Sequence, residues 1–207
     1  MGAESDASTD PAWYRPLWWS LLGVVAVAMT KPTHYHVVRS ATLKADPATV
    51  FAKIDDLHAF PSWSPWQKLD PAMQTTYSGA ERGVGAVYEW KGNKDAGEGR
   101  MSITESVPNE HVAMKLEFLK PFASTATVAL KLAPEGEGTK VEWSMDGEND
   151  FFGKIMCVFM DMDAMVGKDF TEGLANLDRV SQEAAAAAPA DSAAAPAADS
   201  TTATPAN

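Results

Sequence analysis

A chain of 207 residues has room for one domain of ordinary size plus extensions. Its formal charge of −11 argues against nucleic acid as a partner, because phosphates demand basic surface. The single cysteine, Cys157, excludes an intramolecular disulfide and a cysteine-based zinc cluster, and its neighbours Met156 and Val158 read as the setting of an inert packed thiol.

Residues 1–16 are polar and rich in small side chains, and are expected to be disordered. Leu17 to Met29 carries no charge, with Pro16 before it and Lys31-Pro32 after it. The run is short for a bilayer span, which needs roughly 17–25 residues, but counting outward from Trp13 to Thr30 brings it close. Trp13, Tyr14, Trp18 and Trp19 would form an aromatic belt at one interface. Residues 17–30 are therefore expected to be a single-pass membrane anchor. A cleaved signal peptide is one alternative, since Ala26-Val27-Ala28 fits a cleavage site and would leave an exported domain. An interfacial or buried helix is another. Arg15 upstream against Lys31, Arg39 and Lys44 downstream would keep the domain that follows in the cytoplasm. At the far end, residues 182–207 are Ala/Pro/Ser/Thr/Asp low complexity and are expected to form a solvated tail. Ala184 to Ala188 would extend the preceding helix until Pro189 stops it.

Residues 35–181 have the pattern of one α+β domain. His36 to Leu43 reads as a first strand. Asp46-Pro47 is an N-cap followed by a proline at the first helical position, and the helix it opens carries Val50, Phe51, Ile54 and Leu57. The stretch HAFPSWSPWQKLDP is a turn-rich loop, or a short helical turn at Trp63. Strands follow at TTYSG and at Val84 to Lys91, where alternation places Val84, Ala86, Tyr88 and Trp90 on one face. Gly99 to Glu105 presents Met101 and Ile103, and a turn falls at Pro108-Asn109. The next strand presents Val112, Met114, Leu116 and Phe118, and a long one Val128, Leu130 and Leu132 before a Gly136-Glu137-Gly138 turn. The last strand turns Val141, Trp143 and Met145 inward. Such alternation implies an antiparallel sheet with one wet face. A long helix from Phe152 to Val180 is expected to cover the other, because Phe152, Ile155, Phe159, Met162, Val166, Phe170, Leu174 and Leu177 form one stripe. Met156, Met160 and Met165 widen it; flexible thioethers suit an adaptable pocket and equally fill core gaps.

The Asp46-Pro47-Ala48-Thr49-Val50-Phe51 start, the Trp63-Ser64-Pro65-Trp66 turn, the antiparallel run and the long last helix resemble the START-like, or SRPBCC, superfamily. Within it the chain is most similar to polyketide cyclase/dehydrase and lipid-transport-like members. The resemblance implies a helix-grip fold: a curved sheet wrapped around the C-terminal helix, with a cavity between them. Here an N-terminal hydrophobic helix would be added.

The chemistry-bearing residues do not converge into a recognisable catalytic set. Asp161 and Asp163 lie roughly 200° apart around a helix and read as a solvated face. His58 reads as a turn residue, and no metal site gathers His34, His36, His58 and His111. Glu89 and Glu117 belong on the wet face, and Arg82 decorates a loop. There is no Ser-His-Asp order, phosphate loop or metal-ligand spacing, so neither a metal nor another cofactor is expected. The apolar inventory is more informative. Trp63, Trp66, Tyr88, Trp90, Met114, Phe118, Phe122, Trp143, Met145, Met156 and Met160 are candidates to line a ligand cavity, with a solid core as the competing reading. The expected function is a membrane-tethered domain holding a small hydrophobic ligand, a lipid or polyketide-like molecule. The resemblance also allows an enzyme of the cyclase/dehydratase type, with Tyr88 as its acid–base candidate. A protein-interaction module at the membrane is the third reading. Pro61 and Pro65 stiffen the loop carrying Trp63 and Trp66, which suits either a cavity mouth or a lid over packed core.

Overall fold

Seven strands run through residues 34–148 and pair antiparallel throughout, in the spatial order β1-β7-β6-β5-β4-β3-β2. They are β1 (His34–Leu43), β2 (Gln74–Gly79), β3 (Ala86–Lys91), β4 (Glu98–Val107), β5 (His111–Lys120), β6 (Ser124–Glu135) and β7 (Gly138–Glu148). Helix α1 (Pro47–Ile54) and two short 3-10 turns, Phe60–Ser62 and Gln67–Leu69, carry the chain from β1 to the opposite edge at β2. From there it returns strand by strand through β7, which pairs with β1 in a register that sets Val37 opposite Met145. Helix α2 (Met162–Ala187) packs on β1 and α1. This computed structural model describes residues 25–30, 32–148, 153–155, 158 and 161–187. The expected disordered start, most of the expected anchor, Met156, Cys157, Met160 and most of the expected tail lie outside the described residues. Residues 25–30 are helical, and among the described residues no helix is long and apolar enough to cross a membrane.

The α+β architecture expected from the pattern, and the helix-grip-like arrangement that the resemblance implies, are what the chain adopts. Its strands form where alternate positions are apolar: Val112 and Met114 on β5, Val128, Leu130 and Leu132 on β6, and Val141, Trp143 and Met145 on β7 are all buried. The β6–β7 hairpin closes through two residues, with Gly136 at φ +61° in its first position, a geometry that glycine adopts without steric cost.

Several boundaries differ from expectation, each for a local reason. Strand β3 starts at Ala86 and not at Val84, because Gly83 and Gly85 both take positive φ and turn the chain there; Val84 is left 59% exposed. Helix α1 stops at Ile54 and not at Leu57. The Asp55 amide still bonds the Phe51 carbonyl at 2.9 Å, while its buried carboxylate receives the Ser106 hydroxyl. Arg82, expected to decorate a loop, ties this helix end down instead: it donates to the Ala52 carbonyl at 3.2 Å and stands 3.5 Å from Asp55. A cation suits the unpaired carbonyls of a helix C-terminus.

The last helix is not continuous from Phe152. Residues 153–155 and 158 are helical, but Asp161 is not, and it caps α2. Its carboxylate accepts from the Ala164 amide at 3.0 Å and its carbonyl from the Met165 amide at 3.1 Å. Asp163, read as solvated face, is bidentate to Arg39 of β1 at 2.9 and 3.1 Å. The Arg39 hydrogen bond holds the Asp163 carboxyl below the usual carboxylate range. The pair is well exposed, so screening limits its worth.

The cap of α1 gives a first test. Asp46 accepts from the amides of Ala48 and Thr49 at 2.9 and 3.0 Å and from the Thr49 hydroxyl at 2.6 Å. The hydroxyl is the larger reason that its carboxyl titrates below the ordinary value. Asp46→Ala is expected to cost about 1 kcal/mol. A depressed carboxylate stabilises the fold above its unfolded pKa of about 3.9, and that contribution is lost as pH falls through the lower folded value. Urea unfolding at neutral pH should therefore separate wild type from variant, and the gap should narrow in strong acid.

Gly173 gives a second. A Cβ there would lie 2.5 Å from the Trp143 ring and 3.3 Å from Pro65. Trp143 is held in place by Phe170, stacked on it at 4.2 Å and 7°, and by T-shaped contacts with Trp63 and Trp66. Gly173→Ala gains about 1 kcal/mol of helix propensity, yet should destabilise the protein on thermal melting, because overpacking typically costs about 1–3 kcal/mol.

Candidate functional site

The inward positions of β3 to β7 do not meet α2 in a solid core. A cavity of about 430 Å³ lies between them, lined by Tyr88 of β3, Met101 of β4, Met114, Leu116 and Phe118 of β5, Val128 and Leu130 of β6, and Trp143 and Met145 of β7. Helix α2 adds Met162, Met165, Val166, Asp169 and Phe170. Packing defects are far smaller; an engineered void that holds benzene is about 150 Å³, whereas small-molecule sites run roughly 300–1,000 Å³.

One wall is a rigid aromatic group. Trp143 stacks on Phe170 and takes the edges of Trp63 at 5.4 Å and Trp66 at 5.9 Å, and Phe60 sets its edge against Trp63 at 4.9 Å. The Trp66 indole donates to Asp169 at 3.1 Å. The other wall is Tyr88 stacked on Trp90 at 6.0 Å, with Phe118 edge-on to Trp90 at 6.1 Å. Trp90 lies over Gly99, where a Cβ would come within 2.3 Å of the ring, and its indole donates to the Ala96 carbonyl at 3.1 Å. That bond ties the β3–β4 loop to the cavity. Asn93 then joins the loop to the second 3-10 turn, through its amide to Asp70 at 2.7 Å and its side chain to the Leu69 carbonyl at 3.0 Å. Leu69 and Met165 line the cavity yet are 40% and 44% exposed, which marks the side on which it meets solvent.

Eight of the sequence candidates share this space: Trp63, Trp66, Tyr88, Trp90, Met114, Phe118, Trp143 and Met145. Phe122 does not line it; it stands 55% exposed on the turn between β5 and β6. Met156 and Met160 lie outside the described residues. Trp63 is 1% exposed, so it is a buried wall and not the mouth residue that the stiff loop allowed. Its indole N–H reaches the Lys53 carbonyl at 3.4 Å, and its own carbonyl accepts from Asn176 at 3.3 Å. Met101, Leu116, Val128, Leu130, Val166 and Phe170 were present in the alternation and the helix stripe. Phe60, Leu69, Met73, Asp95 and Ala96 enter from loops without any period to announce them.

Polar groups in the lining are few: Tyr35, Ser64, Tyr88, Asp95, Ser124 and Asp169, besides the indole nitrogens. Burial, and secondarily Tyr77, pushes the Tyr88 hydroxyl up to about 12. No carboxylate or imidazole among the described residues is bonded to it, so it stands ready to donate a hydrogen bond and is poorly tuned to exchange a proton near neutral pH. The histidines are engaged elsewhere. His36 bonds Asp146 at 2.7 Å, His58 stacks on Tyr77 at 4.2 Å, and His111 stands 3.1 Å from Glu105. Among the described residues no three ligating side chains are placed to hold a metal ion.

The family model described as polyketide cyclase / dehydrase and lipid transport matches residues 34–182. No curated protein matches the sequence. Solved structures do. A protein from Rhizobium leguminosarum aligns at TM-score 0.54 and 18% identity, over 72% of this chain and 95% of its own. A protein from Chromobacterium violaceum aligns at 0.52 and 16%, over 73% and 99%. The Aha1 dimer from Colwellia psychrerythraea aligns at 0.51 and 14%, over 70% and 95%. At such identities the likeness is one of fold.

Proposed function

The chain belongs to the polyketide cyclase / dehydrase and lipid transport family, and from that premise we propose that it binds a small hydrophobic molecule between its sheet and α2. The observation that carries this reading is the cavity of about 430 Å³, walled by stacked aromatics and thioethers with a handful of polar groups. That composition is how small-ligand sites are built. Binding is favoured over catalysis because Tyr88, the acid–base candidate of the sequence, is bonded to no carboxylate or imidazole among the described residues that could move its proton. Titration of the full-length chain with N-phenyl-1-naphthylamine, a neutral dye that brightens in apolar surroundings, should show saturable uptake at about one site per chain. A fluorescence rise that is linear and unsaturable would contradict the proposal.

Tethering to a membrane through residues 17–30 is a second part of the proposal, and it is supported by the uncharged run and its aromatic flank. Alkaline carbonate extraction of cells should leave the full-length chain in the membrane pellet; release into the supernatant would end the idea.

A further inference from the structure

The cavity's charge is one-sided. Its described lining contains two carboxylates, Asp95 on the β3–β4 loop and Asp169 on α2, and no lysine, arginine or histidine. Asp169 is anchored by the Trp66 indole at 3.1 Å, and Asp95 is exposed on its loop. The deeper wall is different: Tyr88, Met101, Met114 and Leu130 are each at most 5% exposed and carry no charge. There the Tyr88 hydroxyl donates to no described residue, and burial keeps it protonated up to about pH 12.

An anionic amphiphile entering this space gives up its water, finds no counter-charge and meets two like charges; desolvation and repulsion act in the same direction. A cationic head is no better served at depth, because the buried wall carries no carboxylate, Asp95 is exposed on its loop and Asp169 is already held by the Trp66 indole. An uncharged molecule avoids both penalties. If it carries an oxygen, that oxygen can also receive the Tyr88 proton, which would otherwise be a donor left unsatisfied once the ligand displaces water.

We infer that the cavity selects an uncharged apolar molecule bearing a hydroxyl, carbonyl or ether oxygen, held by Tyr88, and that Asp95 and Asp169 exclude anionic amphiphiles. This selectivity presupposes the ligand-binding role proposed above. Displacement of N-phenyl-1-naphthylamine from the full-length chain by dodecan-1-ol kept below its solubility limit, and by dodecanoate and dodecyltrimethylammonium kept below their micelle concentrations, all at neutral pH, tests it. Dodecan-1-ol should displace the dye at a concentration at least about tenfold below that of dodecanoate, a ratio worth ~1.4 kcal/mol. The bare difference in polarity between the two competitors would favour the alcohol in any apolar pocket, so the decisive arm is Asp95→Asn/Asp169→Asn. It should strengthen dodecanoate about fivefold or more relative to dodecan-1-ol. Asp169→Asn keeps an acceptor for Trp66. Asp95→Asn alone, on an exposed loop, serves should the double variant fail to fold. Tyr88→Phe should weaken dodecan-1-ol several-fold relative to the dye, which has no oxygen. Dodecanoate competing as well as dodecan-1-ol, an unchanged ratio in the Asn variants, or tighter binding of the ammonium would overturn the selectivity and leave ligand binding standing. Failure of wild type to take up the dye at all would overturn both.

Discussion

Trp63→Ala should lower the stability of the folded chain by about 3–5 kcal/mol, the usual cost of deleting a buried large aromatic. The side chain is 1% exposed, holds the Phe60 and Trp143 rings in edge contact, and reaches the Lys53 carbonyl at the end of α1 with its indole N–H. Folded domains have only about 5–15 kcal/mol to lose, so the melting temperature should fall on the order of 10 °C. A variant that melts within a few degrees of wild type while losing dye uptake would show that Trp63 serves the ligand and not the fold.

Val128→Trp separates the two roles from the opposite side. Val128 is paired in register with Met114 on β5 and Met145 on β7, and all three side chains line the void. In a packed core the added indole would cost about 1–3 kcal/mol or more. Here it has space to occupy, and the expected loss is under about 1 kcal/mol. The same change should weaken uptake of the naphthylamine dye at least about tenfold. A strong loss of stability would mean that the void is not available to a side chain, and hence not to a ligand.

The sheet is legible in the amino-acid sequence because period-two alternation runs along β5, β6 and β7, which places Val112, Met114, Val128, Leu130, Trp143 and Met145 on one face, and all six are buried. Alternation sets which way a side chain points, not how far away the opposite wall stands. That distance depends on how α2 is seated, and its seat involves Gly167 against Arg39 and Gly173 against Trp143, contacts remote in sequence. The break at Asp161 leaves no trace in the apolar spacing, which runs through it, while the cap is a local carboxylate bond that periodicity does not register. Val84 fits the strand's alternation, but the paired glycines at 83 and 85 turn the backbone before the strand begins. Asp95, Leu69 and Met73 reach the cavity from loops, where no pattern precedes the fold.

The central claim is that the space between sheet and helix is occupied by a ligand in the cell. The most direct measurement is mass spectrometry of the small molecules released on denaturing the full-length chain after purification without detergent, with Val128→Trp purified in parallel. Wild type is predicted to release one or a few apolar, uncharged species at a ratio approaching one per chain, and the filled variant to release much less of them. An identical profile from the two proteins, or no apolar species from either, would contradict the account.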